Sequence, residues 1–450
     1  MKRRDFLKGC CLAAGAGAVP ATFFVNPRAF GQTPSQNVLV YLFLRGGIDG
    51  LHLVVPYSGP ERVAYDSARG NMRIPVENLR PIGSQWALHP RAGGGPADLV
   101  ESDPKWLQRL WLQEKLAIVH GAGMPTALSR SHFDAQAWMD LGTPGTKATS
   151  DGWLKRYLEQ ATGLPAPLLS HVMGFSSSQP LSLMGSNDAF TVSRAEDFLV
   201  DGFHWSWNQN NPDITGHQGA RHRIQPLWQS GTAPLDEAGR LAADALELMR
   251  ELDFAGYEPE GGAHYPDNTL GHQMRNLAQL IKSDLGIVAA TLDYGGWDTH
   301  QGQGLPDPGN ASHFDLYGNL LQGLSEAIDA FYTDLAQSAA GNFMNRVNIV
   351  VLSEFGRNVQ GNQSFGTDHG YGNVMLALGD NVAGGQFYGE FPGLDSNSLF
   401  EGQDLDTSTD FRQVLAEALV SRMGFAANEL ESVFPNLGSY QPLGLFEDGS

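Results

Sequence analysis

The sequence predicts an α/β fold built on a doubly wound, mainly parallel sheet, and three observations carry that prediction. Val38 to Leu44 (VLVYLFL) is an unbroken run of apolar β-formers, the pattern of a strand buried on both faces. Similar runs recur along the chain and alternate with helical periodicity, which implies parallel strands with helices over both faces of the sheet. Acids and histidines stand in glycine-rich turns beside those runs, and open α/β sheets gather their chemistry at the carboxyl ends of the strands.

The chain opens with MKRRDFLK and then a weakly apolar, Ala/Gly-rich stretch from Gly9 to Val25 that is too short for a good spanning helix. That order of charged, apolar and small residues predicts a twin-arginine signal peptide over residues 1–32. It implies the twin-arginine export machinery as a partner and a periplasmic or secreted destination. Cys10 and Cys11 are the two cysteines and both lie in the signal, so the mature chain is expected to use neither disulfide nor thiol chemistry. Removing 32 of the 450 residues leaves 418, read as a single α/β domain over 33–450. The signal carries Lys2, Arg3, Arg4, Lys8 and Arg28 against Asp5, a net +4, so the overall charge of −20 becomes −24. Such acidity argues against nucleic acid or anionic lipid as partners, and no stable membrane span is expected after signal removal.

After the first strand, Leu116 to His120, Ile287 to Leu292, Val347 to Leu352 and Val374 to Leu378 have the same apolar character. Helices are expected over Asp98–Gln113, Asp267–Leu285, His313–Ala336 and Thr409–Met423, the last with Thr409 as N-cap. The stretch around 165–234 is polar and aperiodic and reads as a loop-rich inserted cap. Its His204, Trp205, Trp207, His217 and His222 are either rim residues or ordinary loop packing.

Four turns carry metal-ligand chemistry. Asp49 follows the first strand after Gly46-Gly47, where a short carboxylate either points from the strand tip or caps a helix starting at Gly50. Asp298 and His300, two apart on an extended tip, can face one way and grip a divalent ion. Glu354 follows an apolar run, where an uncompensated charge costs several kcal/mol, so it is expected to bind metal or to pair with Arg357. Asp368 and His369 sit between Gly366 and Gly370. A fifth segment, Ser129-Arg130-Ser131-His132-Phe133, leads into a helix, and its hydroxyls either cap that helix or serve as nucleophile. Ser131 and His132 are the catalytic candidates.

The motifs LRGGIDGLHLVVP, LAIVHGAG with SRSHFDAQ, DGWLKRYL, DYGGWDTH, VVLSEFGRN and GTDHGYGNVMLALG resemble, in content and order, an exported bacterial family catalogued as domain of unknown function 1501. That family in turn resembles the alkaline phosphatase and sulfatase superfamily. The resemblance implies an alkaline-phosphatase-like sheet and an ordered site that Asp49, Ser131, Asp298 with His300, Glu354 and His369 fill here. The sequence departs from the superfamily pattern in three places. Only Thr299 separates Asp298 from His300, Glu354-Phe355 replaces an Asp-His pair, and no C-x-P-x-R or S-x-P-x-R segment exists.

The function expected from residues and resemblance together is metal-dependent hydrolysis of a phosphate or sulfate ester, on a small molecule or polysaccharide, outside the cytoplasm. Asp298, His300 and His369 are expected to hold one divalent ion, with Asp368 beside them, while Asp49 and Glu354 help hold another. Ser131 or a metal-held water attacks the ester. Oxygen and nitrogen donors suit zinc or manganese, and the carboxylates also suit calcium or magnesium. The alternative is a non-catalytic exported metal- or carbohydrate-binding or envelope protein on the same scaffold.

Overall fold

The computed structural model describes residues 36–94, 103–164, 170–186, 189–193, 236, 252–254, 256–304 and 315–448. Residues 1–32, where a signal is expected, and the histidines and tryptophans between 204 and 222 lie outside them. Twelve strands are described: β1 Val38–Arg45, β2 Val54–Pro56, β3 Arg80–Pro81, β4 Trp86–Leu88, β5 Leu116–Gly123 and β6 Val172–Phe175, then β7 Ala189–Val192, β8 Ala289–Gly295, β9 Val347–Leu352, β10 Asn373–Leu378, β11 Phe387–Tyr388 and β12 Thr409–Asp410. The helices used below are α1 Gly50–Leu53, α2 Gly59–Arg69, α3 Trp106–Leu112, α4 His132–Leu141, α5 Trp153–Gln160, α6 Thr269–Lys282, α7 Leu316–Ala336, α8 Phe411–Glu417 and α9 Leu430–Val433.

A mixed, mostly parallel sheet runs in the order β11-β5-β10-β9-β1-β8-β6-β7, with β12 also pairing with β5. β1 lies at its centre between β8 and β9, parallel to both. Its alternate residues serve opposite faces, as a pleated strand requires. Val38, Val40 and Leu42 enter a core with α3, α6 and α7, while Leu39, Tyr41 and Phe43 enter a second core with α4, α5, α8 and α9. Burial on both faces is why the run shows no polar alternation. Among the described residues, no helix is long and apolar enough to cross a membrane.

The structure departs from the sequence expectation at three elements. β10 is antiparallel to both neighbours, so its start, not its end, lies at the carboxyl edge of the parallel strands. β6 and β7 come from the stretch read as a loop-rich cap, yet they extend the sheet parallel to β8. Thr409 does not cap a helix over 409–423. It is extended in β12, Asp410 caps α8 by accepting from the Arg412 N–H at 2.9 Å, and the helix passes into a π-turn over Ala418–Arg422.

Candidate metal centre

The turn after β1 is shaped by contact. Gly46 and Gly47 have φ of 122° and 66°, and a Cβ on Gly46 would lie 2.5 Å from the Asp298 nitrogen. A Cβ on Gly47 would meet the Phe355 ring at 2.6 Å. Glycine therefore lets the loops after β1, β8 and β9 nest against one another. The chain between β9 and β10 folds back on itself: Gly356 N–H donates to Tyr371 O and Gly370 N–H to Gly356 O, each at 2.9 Å. Because β10 runs against the other strands, this return carries Asp368 and His369 to the edge where Asp298, His300 and Glu354 already stand.

The side chains of His132, His300, His369 and Asp298 meet there. His369 Nε2 lies 3.1 Å from His132 Nε2, 3.0 Å from His300 Nε2 and 3.0 Å from Asp298 Oδ1. His300 Nε2 lies 3.1 Å from Asp298 Oδ1, and His132 Nε2 3.4 Å from Asp298 Oδ2. The candidate donors of His132, Asp298 and His369 all fall within 4.8 Å of one another, a group that can hold a metal ion.

The other ring nitrogen of each histidine is committed. His132 Nδ1 meets Glu354 Oε1 at 2.7 Å, His300 Nδ1 meets Asp368 Oδ1 at 2.9 Å, and His369 Nδ1 meets the Arg130 carbonyl at 2.7 Å. A carbonyl and ionised carboxylates only accept, so each Nδ1 donates its proton. In the neutral ring, Nε2 then carries a lone pair. Three such lone pairs and a carboxylate oxygen converging at about 3 Å repel one another, and one proton can bridge only one pair. A divalent cation can answer those of His132, His369 and Asp298, with His300 beside them, and histidine held through its second nitrogen is the usual outer support of a metal ligand.

The acids divide by role. Burial alone would raise the Asp298 carboxyl, but the hydrogen bond from Arg357 holds it far below the carboxylate range. Glu354 is fully buried, which also raises a carboxyl. His132 and Gln136 donate to its Oε1, with Gly46 N–H at 2.8 Å, and keep it ionised. The Glu354 hydrogen bond in turn pushes the His132 imidazole up. Asp368 is lowered chiefly by His300. Arg357 does not pair with Glu354. It donates to Asp298 Oδ1 at 2.8 Å and to the carbonyls of Gly46, Gly47, Trp297 and Thr367, tying all three loops together.

Asp49 is at the same edge but not in this cluster. It caps α1 through His52 N–H at 3.1 Å and forms a buried two-point pair with Arg69. Gln303 Nε2, at 3.1 Å, and Thr367 Oγ1, at 3.4 Å, close over it. Its charge is answered by Arg69, which outweighs burial and lowers its carboxyl. Of the eight sequence candidates, six therefore come together: Asp298, His300, Glu354, Asp368, His369 and His132. Ser131 occupies the N-cap position of α4 without a side-chain cap bond, and its own N–H donates to Ser129 Oγ at 3.1 Å. Sequence reading put His132 with the serines and did not find Gln136 or the Arg130 carbonyl. A signal existed: His132 and Gln136 are four apart, on one helix face, and both reach Glu354.

The family described as Protein of unknown function (DUF1501) matches residues 242–434, which hold the Asp298, Glu354 and His369 turns. The chain thus resembles the family suggested by its motifs. No curated protein matches it. A solved structure of Ps i-CgsB in complex with k-i-k-neocarrahexaose aligns at TM-score 0.39 and 10% identity, over 93% of this chain and 77% of that one. The phosphonate monoester hydrolase of Agrobacterium radiobacter aligns at TM-score 0.33 and 10% identity, over 87% of this chain and 74% of that one.

Proposed function

We propose that the protein is a hydrolase of phosphate or sulfate esters, working outside the cytoplasm, with one divalent metal centre held by His132, Asp298 and His369 and flanked by His300. The observation that carries the reading is the commitment of all three Nδ1 atoms, which leaves Nε2 lone pairs aimed at one point beside an ionised carboxylate. Two imidazoles and one carboxylate, with a third imidazole beside them, suit zinc or manganese better than calcium or magnesium, which favour all-oxygen sites. When bound, such an ion supplies Lewis-acid stabilisation of ester oxygens and a more acidic water.

The chain's own residues supply positioning. Glu354 and Gln136 fix His132, Asp368 fixes His300, the Arg130 carbonyl fixes His369, and Arg357 fixes Asp298. Ser131, whose hydroxyl makes no bond to the backbone of α4, is the candidate nucleophile on the chain. The expectation of a second ion on Asp49 and Glu354 gives way to a single centre. Asp49 is neutralised by Arg69, and Glu354 Oε1 already accepts three hydrogen bonds.

The test is metal analysis of the purified protein combined with turnover of 4-nitrophenyl phosphate and sulfate esters. One metal per chain and ester turnover that chelation abolishes are expected. Stoichiometric metal without turnover of any ester would assign the chain to the binding class instead. Ser131→Ala is expected to abolish turnover while sparing metal, and Ser129→Ala to do little. Full activity in both variants would take the reaction from the serines and give it to water.

A further inference from the structure

We infer that the ester this centre accepts carries a single negative charge, as a sulfate monoester or phosphate diester does, and not the double charge of a phosphate monoester. The inference rests on the hydrolase reading above and adds its substrate class. It follows from the charges that surround the candidate donors.

A doubly charged phosphoryl group is usually clamped by cations, most often arginine or a second metal ion. Among the described residues, the loops and strand ends that build this centre carry three arginines, and Asp49 brings in a fourth. Each is already answered by carboxylate. Arg69 is paired with Asp49, and Arg357 with Asp298 at 2.8 Å while its remaining donors serve backbone carbonyls. Arg130 is held by Asp404 and by Glu401 at 2.8 Å. Arg45 lies 2.8 Å from Asp140 and 2.8 Å from Asp293.

The remaining charges also weigh against a dianion. With Asp298 answered by Arg357, the two charges of a divalent ion face those of Glu354 and Asp368, both within 3 Å of a histidine of the cluster. Arg130 and Arg45 each stand against two acids, which adds negative potential around the ion. A second unit of negative charge on the ligand would therefore meet repulsion not offset by any free cation of these loops. At the few-ångström separations involved, one unit charge changes affinity by about tenfold or more.

The experiment uses the full-length protein loaded with zinc and measures, by calorimetry at pH 8, the binding of methyl sulfate, dimethyl phosphate and methyl phosphate. Methyl phosphate is doubly charged at that pH, since its second ionisation falls near pH 6. At least one singly charged ligand is expected to bind about tenfold tighter than methyl phosphate. Equal or tighter binding of methyl phosphate overturns the inference, as does binding of none of the three.

Glu401→Gln removes one of the two acids that stand against Arg130 without touching the donors. It should raise methyl phosphate affinity by up to about fivefold and that of the singly charged ligands by only about twofold, since the effect scales with ligand charge. An equal effect on all three ligands would contradict the charge argument. Turnover of 4-nitrophenyl sulfate against methyl 4-nitrophenyl phosphate then tells the two sources of the single charge apart. Selective binding with no turnover of either would remove the hydrolase reading and keep the charge preference.

Discussion

At the scale of single residues, the consequential feature is that each histidine of the centre is oriented by an acceptor on its far nitrogen. Glu354→Gln tests this without removing a donor from the cluster. Ser353 Oγ lies 2.9 Å from Glu354 Oε2 and 2.6 Å from the Leu44 carbonyl, so it can donate to the carbonyl and accept from a glutamine amide. The fold should survive, and zinc affinity should fall by about 10- to 100-fold in a chelator competition, the usual cost of losing an outer-shell partner. His369→Ala should cost more, because it removes a donor, and circular dichroism should show the domain intact. Unchanged zinc affinity in both variants would remove His132 and His369 from the site. Part of this was legible in the sequence: of the acids and histidines in glycine turns all but Asp49 meet, while His132, which stands in no such turn, joins them. What was not legible was the division of labour. Nothing in the string says that Asp49 meets Arg69 twenty residues on, or that a backbone carbonyl at 130 fixes His369, since both depend on how loops close over one another.

At the scale of elements, the antiparallel course of β10 decides the site. A strand read as one more parallel member places the turn before it at the wrong edge; reversed, it delivers Asp368 and His369 to the right one. Apolar runs look the same in either direction, so the sequence holds no signal for the reversal. The delivery is tight: a Cβ on Gly366 would lie 2.1 Å from the His300 carbonyl carbon and 2.3 Å from the Gln301 nitrogen, both backbone atoms that cannot yield. Gly366→Ala should therefore push His300 and His369 apart, weaken zinc binding and destabilise the fold by about 1–3 kcal/mol. Retention of wild-type zinc affinity would show that His300 and its loop are not needed by the centre.

β5 offers a second test at this scale. His120 is buried among Trp86, Phe387 and Phe391, and neither ring nitrogen has a hydrogen-bond partner. Burial lowers its imidazole from 6.5 to about 4. The unfolded chain thus binds a proton that the folded chain refuses between those values, so stability present above pH 6.5 is lost as the pH falls toward 4. Urea unfolding at pH 7 and pH 4.5 should show a loss about 2 kcal/mol larger in the wild type than in His120→Phe. An equal loss in both would mean that His120 is protonated in the fold.

For the molecule as a whole, the order of the sheet explains why the apolar runs could be found but not arranged. β1 takes as neighbours β8 and β9, which follow it by some 250 and 310 residues, and periodicity carries no record of such pairings. The same order predicts where the chain can be cut. If residues 1–32 are an export signal, the fold begins at the entry to β1, and the contacts there are specific. Arg346 donates to the Gln36 carbonyl at 3.0 Å, Asn37 donates to the Arg422 carbonyl at 2.5 Å, and Val38 is fully buried opposite Val347. Deletion of residues 1–32 keeps all of these and should leave the urea midpoint and slope unchanged. Deletion of residues 1–38 removes these two hydrogen bonds, each worth about 1 kcal/mol, a long third one from Arg422 to Asn37 Oδ1 at 3.5 Å, and a buried valine worth about 1.5–3 kcal/mol. The second truncation should therefore unfold at lower urea, with a cost of about 3–5 kcal/mol at an unchanged slope. A shorter truncation that also unfolds early would mean that the first 32 residues pack into the domain, and the export reading of that segment would fall with it.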